Sequence, residues 1–246
     1  MGGTNLEPER AKEGELQPAA TPPEGRTIRT MFDAVAPRYD LLNRVLSGGA
    51  DQRWRRALAA AAVGSNAPGG RYLDVATGTG DCLDALRARD PAARLVGLDL
   101  SGAMLARAQA RHPAVPLMMG DATALPFAPY TFDAATIAFG IRNVRDRLAA
   151  LREMVRVVRR GGRVVVLELG EPVFPLARLY VHHLVPRVAA VLAGDAAPAY
   201  RYLERSIAAF PEPAVFANTL GAAGLRAIAI RGLLLGACTL FVGTRP

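Results

Sequence analysis

A run of eight residues, Asp74-Val-Ala-Thr-Gly-Thr-Gly-Asp81, restricts this chain more than any other feature. Residues 71–76 read as a short buried strand, Gly78 and Gly80 as the turn after it, and residues 81–88 as the helix that follows. Glycine tolerates positive φ and lets a ligand approach the backbone closely. The helix N-terminus adds unpaired N–H groups beside that turn. Further on, Gly97-Leu-Asp99 closes a second apolar strand, and Gly120-Asp-Ala122 follows a third apolar stretch. A carboxylate about 20 residues past the glycine turn is placed to accept both hydroxyls of a ribose. Together these elements predict a nucleoside-bearing cofactor at the strand ends of a doubly wound sheet.

The details of the turn narrow the cofactor. A dinucleotide fingerprint needs a third glycine three residues after the second, so that helix and strand close tightly over a pyrophosphate. That position is Leu83, and acids flank the turn at Asp74 and Asp81. Such a setting suits a cationic ligand, an ammonium or a sulfonium, better than a pyrophosphate. Asp121, after the apolar run Val115-Pro-Leu-Met-Met119, is suited to accept from an adenine amino group. One acid for ribose and one for adenine, after successive strands, resembles the S-adenosylmethionine-dependent methyltransferases. That resemblance implies a class I, Rossmann-like α/β fold with a doubly wound, mostly parallel seven-stranded sheet. It makes Asp74, Ala76, Gly78, Thr79, Gly80, Asp99, Asp121 and Ala122 the expected S-adenosyl-L-methionine contacts.

The rest of the chain fits one such domain. Its 246 residues are 51% hydrophobic, enough for one sizeable core. Residues 1–27 mix glutamates with prolines and glycines without an apolar period, which predicts a disordered tail. That tail lacks the charged start and apolar centre of a signal peptide. No apolar run reaches bilayer-spanning length. Cys82 and Cys238 form neither a disulfide framework nor a metal site, and a reducing cytoplasm with two buried, inert thiols is the simple expectation. The net charge is +8, and because residues 1–30 sum to −1, the remainder carries +9. No aromatic-interleaved basic stripe accompanies it, which argues against a nucleic-acid partner. Arg152, Arg156, Arg159, Arg160 and Arg163 gather near one helix end, where cations complement the dipole, and a solvated face explains them more simply than membrane contact.

Strands at 71–76, 94–98, 115–119, 132–138, 162–169, 225–231 and 237–244 are expected. Helices are expected at 27–46 (interrupted or restarted at Pro37), 52–63, 81–88, 101–111, 146–159, 174–193, 199–210 and 213–222. This alternation predicts a parallel sheet covered on both faces. Arg160-Gly-Gly162 reads as a glycine helix stop, and Met118 and Met119 read as core.

From about residue 28 to the C-terminus, the motifs resemble the menaquinone/ubiquinone biosynthesis C-methyltransferase family. The resemblance rests on Phe32-Asp33-x-Val35-Ala36-x-x-Tyr39-Asp40-x-x-Asn43, Gly78-Thr-Gly-Asp81 and Gly120-Asp-Ala-Thr-Ala-Leu-Pro-Phe127. It rests also on Phe139-Gly-Ile-Arg-Asn-Val144, Leu167-Glu168 and Ala199-Tyr-Arg-Tyr-Leu203 with Ser206-Ile207. It implies C-methylation of a prenylated quinol by S-adenosylmethionine. The Ala-Thr-Gly-Thr-Gly-Asp turn at 76–81, Gly194-Asp195 and Phe210-Pro211 favour demethylmenaquinol over the ubiquinone precursor. Asp51 stands where the family usually has histidine, Ala138 and Gly170 where it has serine, and Arg160 where it has proline.

Arg142, at the edge of a central strand, is the catalytic candidate. A guanidinium stays protonated in proteins, so it would act as a fixed cation beside a developing phenolate. The bland alternative pairs it with Asp146. Tyr39, Asn143, Tyr200 and Tyr202 are the candidate substrate contacts, with Asn143 equally readable as a helix cap. Tyr39 and Asp40 read either as a lid over the cofactor or as helix packing. His182 and His183 are weaker proton acceptors. A helical insert over residues 174–210 is expected to form the quinol pocket and a peripheral contact with the inner face of the cytoplasmic membrane; a homodimer stays open. Other small-molecule methyltransferases and a non-catalytic S-adenosylmethionine-binding protein remain alternatives. An RNA methyltransferase is disfavoured, because Ala138-Phe-Gly-Ile stands where an Asn/Asp-Pro-Pro-aromatic turn would be.

Overall fold

The computed structural model describes residues 25–36, 39–64, 68–171 and 197–246. Seven strands form one sheet: β1 (Arg71–Val75), β2 (Arg94–Asp99), β3 (Leu117–Met119), β4 (Phe132–Ala138), β5 (Val158–Leu169), β6 (Arg226–Leu233) and β7 (Cys238–Thr244). Their order is β3-β2-β1-β4-β5-β7-β6. All neighbours are parallel except β7, which runs antiparallel to β5 and β6. The mostly parallel, seven-stranded α/β expectation is borne out.

Apolar runs with little polar alternation build the central strands, as burial on both faces requires. Tyr72, Leu73 and Val75 of β1 and Val164, Val165 and Val166 of β5 are fully buried. On one face, α3 (Ala50–Val63) and α4 (Asp81–Arg89) pack Trp54, Leu58, Leu83 and Leu86 against Tyr72, Leu95 and Leu167. On the other, α6 (Arg147–Val157) and a C-terminal helix, Pro213–Ala222, pack Leu151, Met154, Phe216 and Leu220 against Leu73, Ile137, Val166 and Phe241. The chain moves outward from β1 to β2 and β3, then returns to place β4 on the other side of β1. Such a reversal opens a crevice at the carboxyl ends of the strands.

Several expectations change. The helix expected over 27–46 is two helices, α1 (Gly25–Val35) and α2 (Tyr39–Ser47), so the interruption expected at Pro37 is real, although Pro37 itself lies outside the described residues. Residues 25–27 begin α1. The strand at 115–119 shortens to three residues at the sheet edge, where Met118 and Met119 are 37% and 63% exposed and are not core. Helix α6 stops at Val157, ahead of Gly161-Gly162; Gly161, at φ +71°, turns the chain within β5 instead. Of the five arginines near that end, Arg156 pairs with Glu153 and donates to the carbonyls of Leu125 and Phe127. Arg159 pairs with Asp133, and Arg163 donates to the Ala61 carbonyl. Those three are structural ties and not a free basic face. Both cysteines are buried, and burial pushes both thiols up in pKa, as expected of inert groups. The helix expected at 174–193, with His182 and His183, falls outside the described residues, as do residues 1–24.

Candidate active site

The glycine turn lies over the crevice between β1 and β4. Ala76, just past β1, takes φ +52°, Gly78 takes +58° and Gly80, the N-cap of α4, takes +92°. Thr77 donates its N–H to the Leu98 carbonyl at 3.0 Å, tying the turn to β2. The opposite wall has the same left-handed twist, with Phe139 at φ +56° directly after β4. Gly140 follows, and a Cβ there would meet the Ala76 Cβ at 2.7 Å, so the two strand-end turns approach more closely than any side chain allows.

Asp74 does not reach the crevice. It is 1% exposed beneath the turn and accepts from the Thr136 hydroxyl on the adjacent strand at 2.6 Å. Burial pushes its pKa up to about 6, against the hydroxyls of Thr136 and Thr77 and the charge of Arg55. Asp74 thus supports the turn from below, and it is not on the lining of the cleft.

Asp99 and Asp121 do line the crevice, together with Ala76, Gly78 and Ala122. Asp99 Oδ2 accepts from Gly78 N and Oδ1 from Ser101 N, each at 2.8 Å. A carboxylate has about four lone-pair sites, so acceptor capacity remains for a ligand. Burial pushes its pKa above the ordinary carboxylate value, while backbone N–H groups of Ser101, Gly78 and Leu100 oppose that and the Asp33 charge adds to it. Asp121 Oδ1 accepts from both the N–H and the hydroxyl of Thr123 at 2.8 Å, a local turn that aims the side chain. The cleft holds about 460 Å³, the scale of a small-molecule site.

Helix α1 covers it. Gly25, Ile28, Arg29 and Phe32 of α1 line the cleft, and Asp33 accepts from the Ser101 hydroxyl. Thr79 and Gly80 are not on the lining; the Thr79 hydroxyl donates instead to Asp40 of α2 at 2.6 Å. Helix α5 (Gly102–Arg111) ends in Arg111, which pairs with Asp81 at 2.9 Å and with Asp84, and donates to the Thr79 carbonyl. Asp40 therefore ties α2 to the cofactor turn. Asp51 accepts from Ser47 at 2.9 Å and pairs with Arg55 at 2.7 Å. Arg55 also reaches Asp81 at 3.6 Å and lies 5.1 Å from the Phe139 ring centroid. The position usually occupied by histidine thus carries a buried ion pair here. This network was not foreseen; the i,i+4 spacing of Asp51 and Arg55 was its visible signal.

The turn after β4 is tied to Glu168. Arg142 is 5% exposed and does not line the cleft. Its Nη1 donates to Glu168 Oε1 and to the Phe139 carbonyl, both at 2.6 Å, and its backbone N–H donates to Glu168 Oε2 at 3.0 Å. The partner is therefore Glu168 and not Asp146, whose side chain caps α6 by accepting from Ala149 N at 2.8 Å. That cap also settles the alternative for Asn143, which ends a 3-10 turn and lines the cleft. Helix α7 (Ala197–Ala208) docks on the same turn: Tyr202 OH donates to Asn143 Oδ1 at 3.1 Å, and Arg142 Nε donates to Ser206 at 3.3 Å. Asn143 and Tyr202 are thus brought together, Asn143 on the cleft lining and Tyr202 behind it. The side chains of Tyr39 and Tyr200 lie outside what is described. Glu168, not foreseen as a site residue, was signalled by a lone acid inside the run Val164-Val-Val-Leu-Glu-Leu169.

Comparison with known proteins gives the family and the fold. Residues 21–245 match the ubiE/COQ5 methyltransferase family. The chain is 45% identical over 229 residues to the ubiquinone/menaquinone biosynthesis C-methyltransferase UbiE of Syntrophotalea carbinolica, covering 90% of this chain and 95% of that protein. It is 44% identical over 230 residues to the demethylmenaquinone methyltransferase of Deinococcus radiodurans, covering 90% and 94%. Among solved structures, a SAM-dependent methyltransferase from Thermotoga maritima superimposes with a TM-score of 0.63 at 20% identity, covering 89% of this chain and all of that one.

Proposed function

The chain belongs to the ubiE/COQ5 methyltransferase family, and we propose that it transfers the methyl group of S-adenosylmethionine to a ring carbon of a prenylated quinol, demethylmenaquinol above all. The observation that carries this reading is the cleft at the β1/β4 reversal, with the Asp99 and Asp121 carboxylates on its wall and Asn143 on its lining. The residues present fit the cofactor: Asp99 keeps acceptor capacity for the ribose hydroxyls, and Asp121 keeps its second oxygen for the adenine amino group. Bound there, S-adenosylmethionine supplies a methyl group already activated on a cationic sulfur. The protein's task is then to hold donor and ring carbon in line, which contributes several kcal/mol to lowering the barrier. Phe139, Gly140 and Asn143 form the wall that faces a ring, and Phe32 and Ile28 of α1 exclude water above it. In the reaction a phenolic oxygen would become negative as its proton leaves to solvent, its electrons would drive the ring carbon onto the methyl group while the methyl–sulfur bond breaks and its pair stays on sulfur as a neutral thioether, and the ring carbon would then lose its own proton as aromaticity returns. Arg142, tied to Glu168, fixes the backbone of that wall.

The substrate's prenyl chain places the enzyme at a bilayer surface, since each buried CH₂ contributes about 0.8 kcal/mol to partition. No helix among the described residues is long and apolar enough to cross a membrane. Attachment in this reading is peripheral, on the inner face of the cytoplasmic membrane, with residues 174–210 as the contact and a net charge of +9 beyond residue 30 as the attraction to anionic lipid. The test is purified protein with methyl-labelled S-adenosylmethionine and a reduced demethylmenaquinone. Label in a product one methyl heavier supports the reading; turnover of no quinol, with cofactor bound, overturns it. Salt-sensitive sedimentation with anionic liposomes tests the membrane part, and equal binding to neutral liposomes removes its electrostatic component.

A further inference from the structure

The contacts of Asn143 fix which end of its amide the substrate meets. Tyr202 OH donates to Oδ1 at 3.1 Å, while Nδ2 lies 3.5 Å from the Phe139 carbonyl. A carbonyl only accepts, so the opposite orientation would set two acceptors against each other on the Phe139 side. One N–H of Nδ2 therefore points to the Phe139 carbonyl. The second has no partner among the described residues, and Asn143 lines the cleft. The neighbouring cation cannot take over this contact, because the Arg142 guanidinium is buried behind the turn on Glu168 and the Phe139 carbonyl.

We propose that Asn143 is the hydrogen-bond donor to the phenolic oxygen of the substrate as it becomes negative, and that Tyr202 is a positioning residue that holds the Asn143 amide in this orientation. The proposal rests on the quinol methyltransferase reading above. It assigns α7 a definite part in the reaction: through one hydroxyl it sets the polarity of the cleft wall. Burial pushes the Tyr202 pKa above its ordinary value, against the charges of Arg142 and Arg147 and with that of Glu168. The hydroxyl thus stays protonated at working pH and remains a donor. A neutral donor on a fixed turn favours an oxyanion over a hydroxyl, since a hydrogen bond to a charged acceptor is the stronger one.

The test is a double-mutant cycle of Tyr202→Phe, Asn143→Asp and the double variant, with methyl transfer to demethylmenaquinol, cofactor affinity by calorimetry and the pH profile of kcat. Asn143→Asp keeps the shape but turns the donor into an acceptor. It should lower kcat by roughly a hundredfold, and Tyr202→Phe by roughly tenfold, the range of one or two hydrogen bonds to a charged group. Cofactor affinity should stay within about twofold for both, because neither residue is a cofactor contact. In the double variant the Tyr202→Phe effect should vanish, since there is no amide left to orient. Loss of the donor's orientation should also move the acid limb of the profile to higher pH in Tyr202→Phe, by about one unit for a tenfold loss of anion stabilisation. A Tyr202→Phe enzyme with wild-type kcat and pH profile overturns the proposal while leaving the methyltransferase reading in place. So does a tenfold loss that persists on the Asn143→Asp background, which would mark Tyr202 as a packing residue. A wild-type protein that turns over no quinol overturns both.

Discussion

Replacing Asp99 by alanine tests the cofactor site most directly. The side chain has two jobs, and the geometry separates them. Its inward contacts, Gly78 N and Ser101 N at 2.8 Å each, hold two turns together. Its remaining lone pairs are the proposed ribose acceptors. A hydrogen bond to a charged group contributes about 1.5–3 kcal/mol, so loss of the ribose contact should weaken S-adenosylmethionine binding by roughly ten- to a hundredfold. The two orphaned N–H groups destabilise the turns as well, by about 1–3 kcal/mol each if water does not reach them. Titration calorimetry on Asp99→Ala and Asp99→Asn, with melting curves of both, separates the two effects. The asparagine variant still accepts through one oxygen and should lose less affinity and less stability than alanine. Because burial raises the Asp99 pKa, and ribose hydroxyls prefer the ionised acceptor, wild-type affinity should fall as pH drops through a range above the ordinary carboxylate value. Unchanged affinity in Asp99→Ala, with the fold intact, would refute the assignment.

Three further outcomes follow from buried charges. Asp74, raised to about 6 from 3.8, contributes stability that is fully present below pH 4 and is lost as pH rises to about 7, about 3 kcal/mol in all; in denaturant titrations the stability difference between wild type and Asp74→Asn should fall over that window, and parallel curves would contradict it. Arg142→Ala leaves Glu168 buried and unpaired and should destabilise by about 3–5 kcal/mol, with Arg142→Lys losing less; normal melting with lost turnover would return Arg142 to a direct role in the chemistry. Asp51→His, which restores the residue usual in the family, breaks the pair with Arg55 and should lower the melting temperature, most steeply below about pH 6.5, where a protonated imidazole would sit beside the guanidinium; an unchanged melting curve would show that Asp81 alone holds Arg55.

The sequence was most legible where one residue type answers to one local need. Positive φ asks for glycine, so Gly78 and Gly80 announced the turn, and continuous apolar runs announced strands buried on both faces. Asp99 and Asp121 were readable because their distance from that turn is set by one strand–helix unit. What could not be read is what depends on partners far apart in the chain. Arg142 has an acid four residues on in Asp146, yet its partner is Glu168, 26 residues away on the next strand of the sheet. Local spacing favours the near acid, but a helix N-cap claims it first. Burial misled in the same way at two other points. Asp74 looks exposed at the turn from its place before the glycines, but parallel pairing with β4 puts Thr136 against it and buries it beneath the turn. Met118 and Met119 look like core from their apolarity, but β3 is the last strand on its side of the sheet.

The cover over the cleft shows the same dependence on distant partners, with a functional consequence. Helix α1 faces the ligand space with Ile28 and Phe32, yet the small core cluster beneath it consists of Ala36 and Met104, with Phe32 and Ala103 packed against them. A polar tie joins it to the start of α5, Asp33 on Ser101 and on Ala103 N. Helix α2 is held to the turn through Asp40 on Thr79 and Arg111, contacts in which both carboxylate and guanidinium are about a third exposed. Partly exposed polar ties contribute far less than the apolar packing that holds the sheet. Opening free energy in a folded protein follows that density of buried contact. The glycine turn and the carboxylates therefore sit on the densely packed sheet, and the cover, among the described residues, is held by fewer buried contacts. A cleft that must admit two ligands and then exclude solvent requires that division.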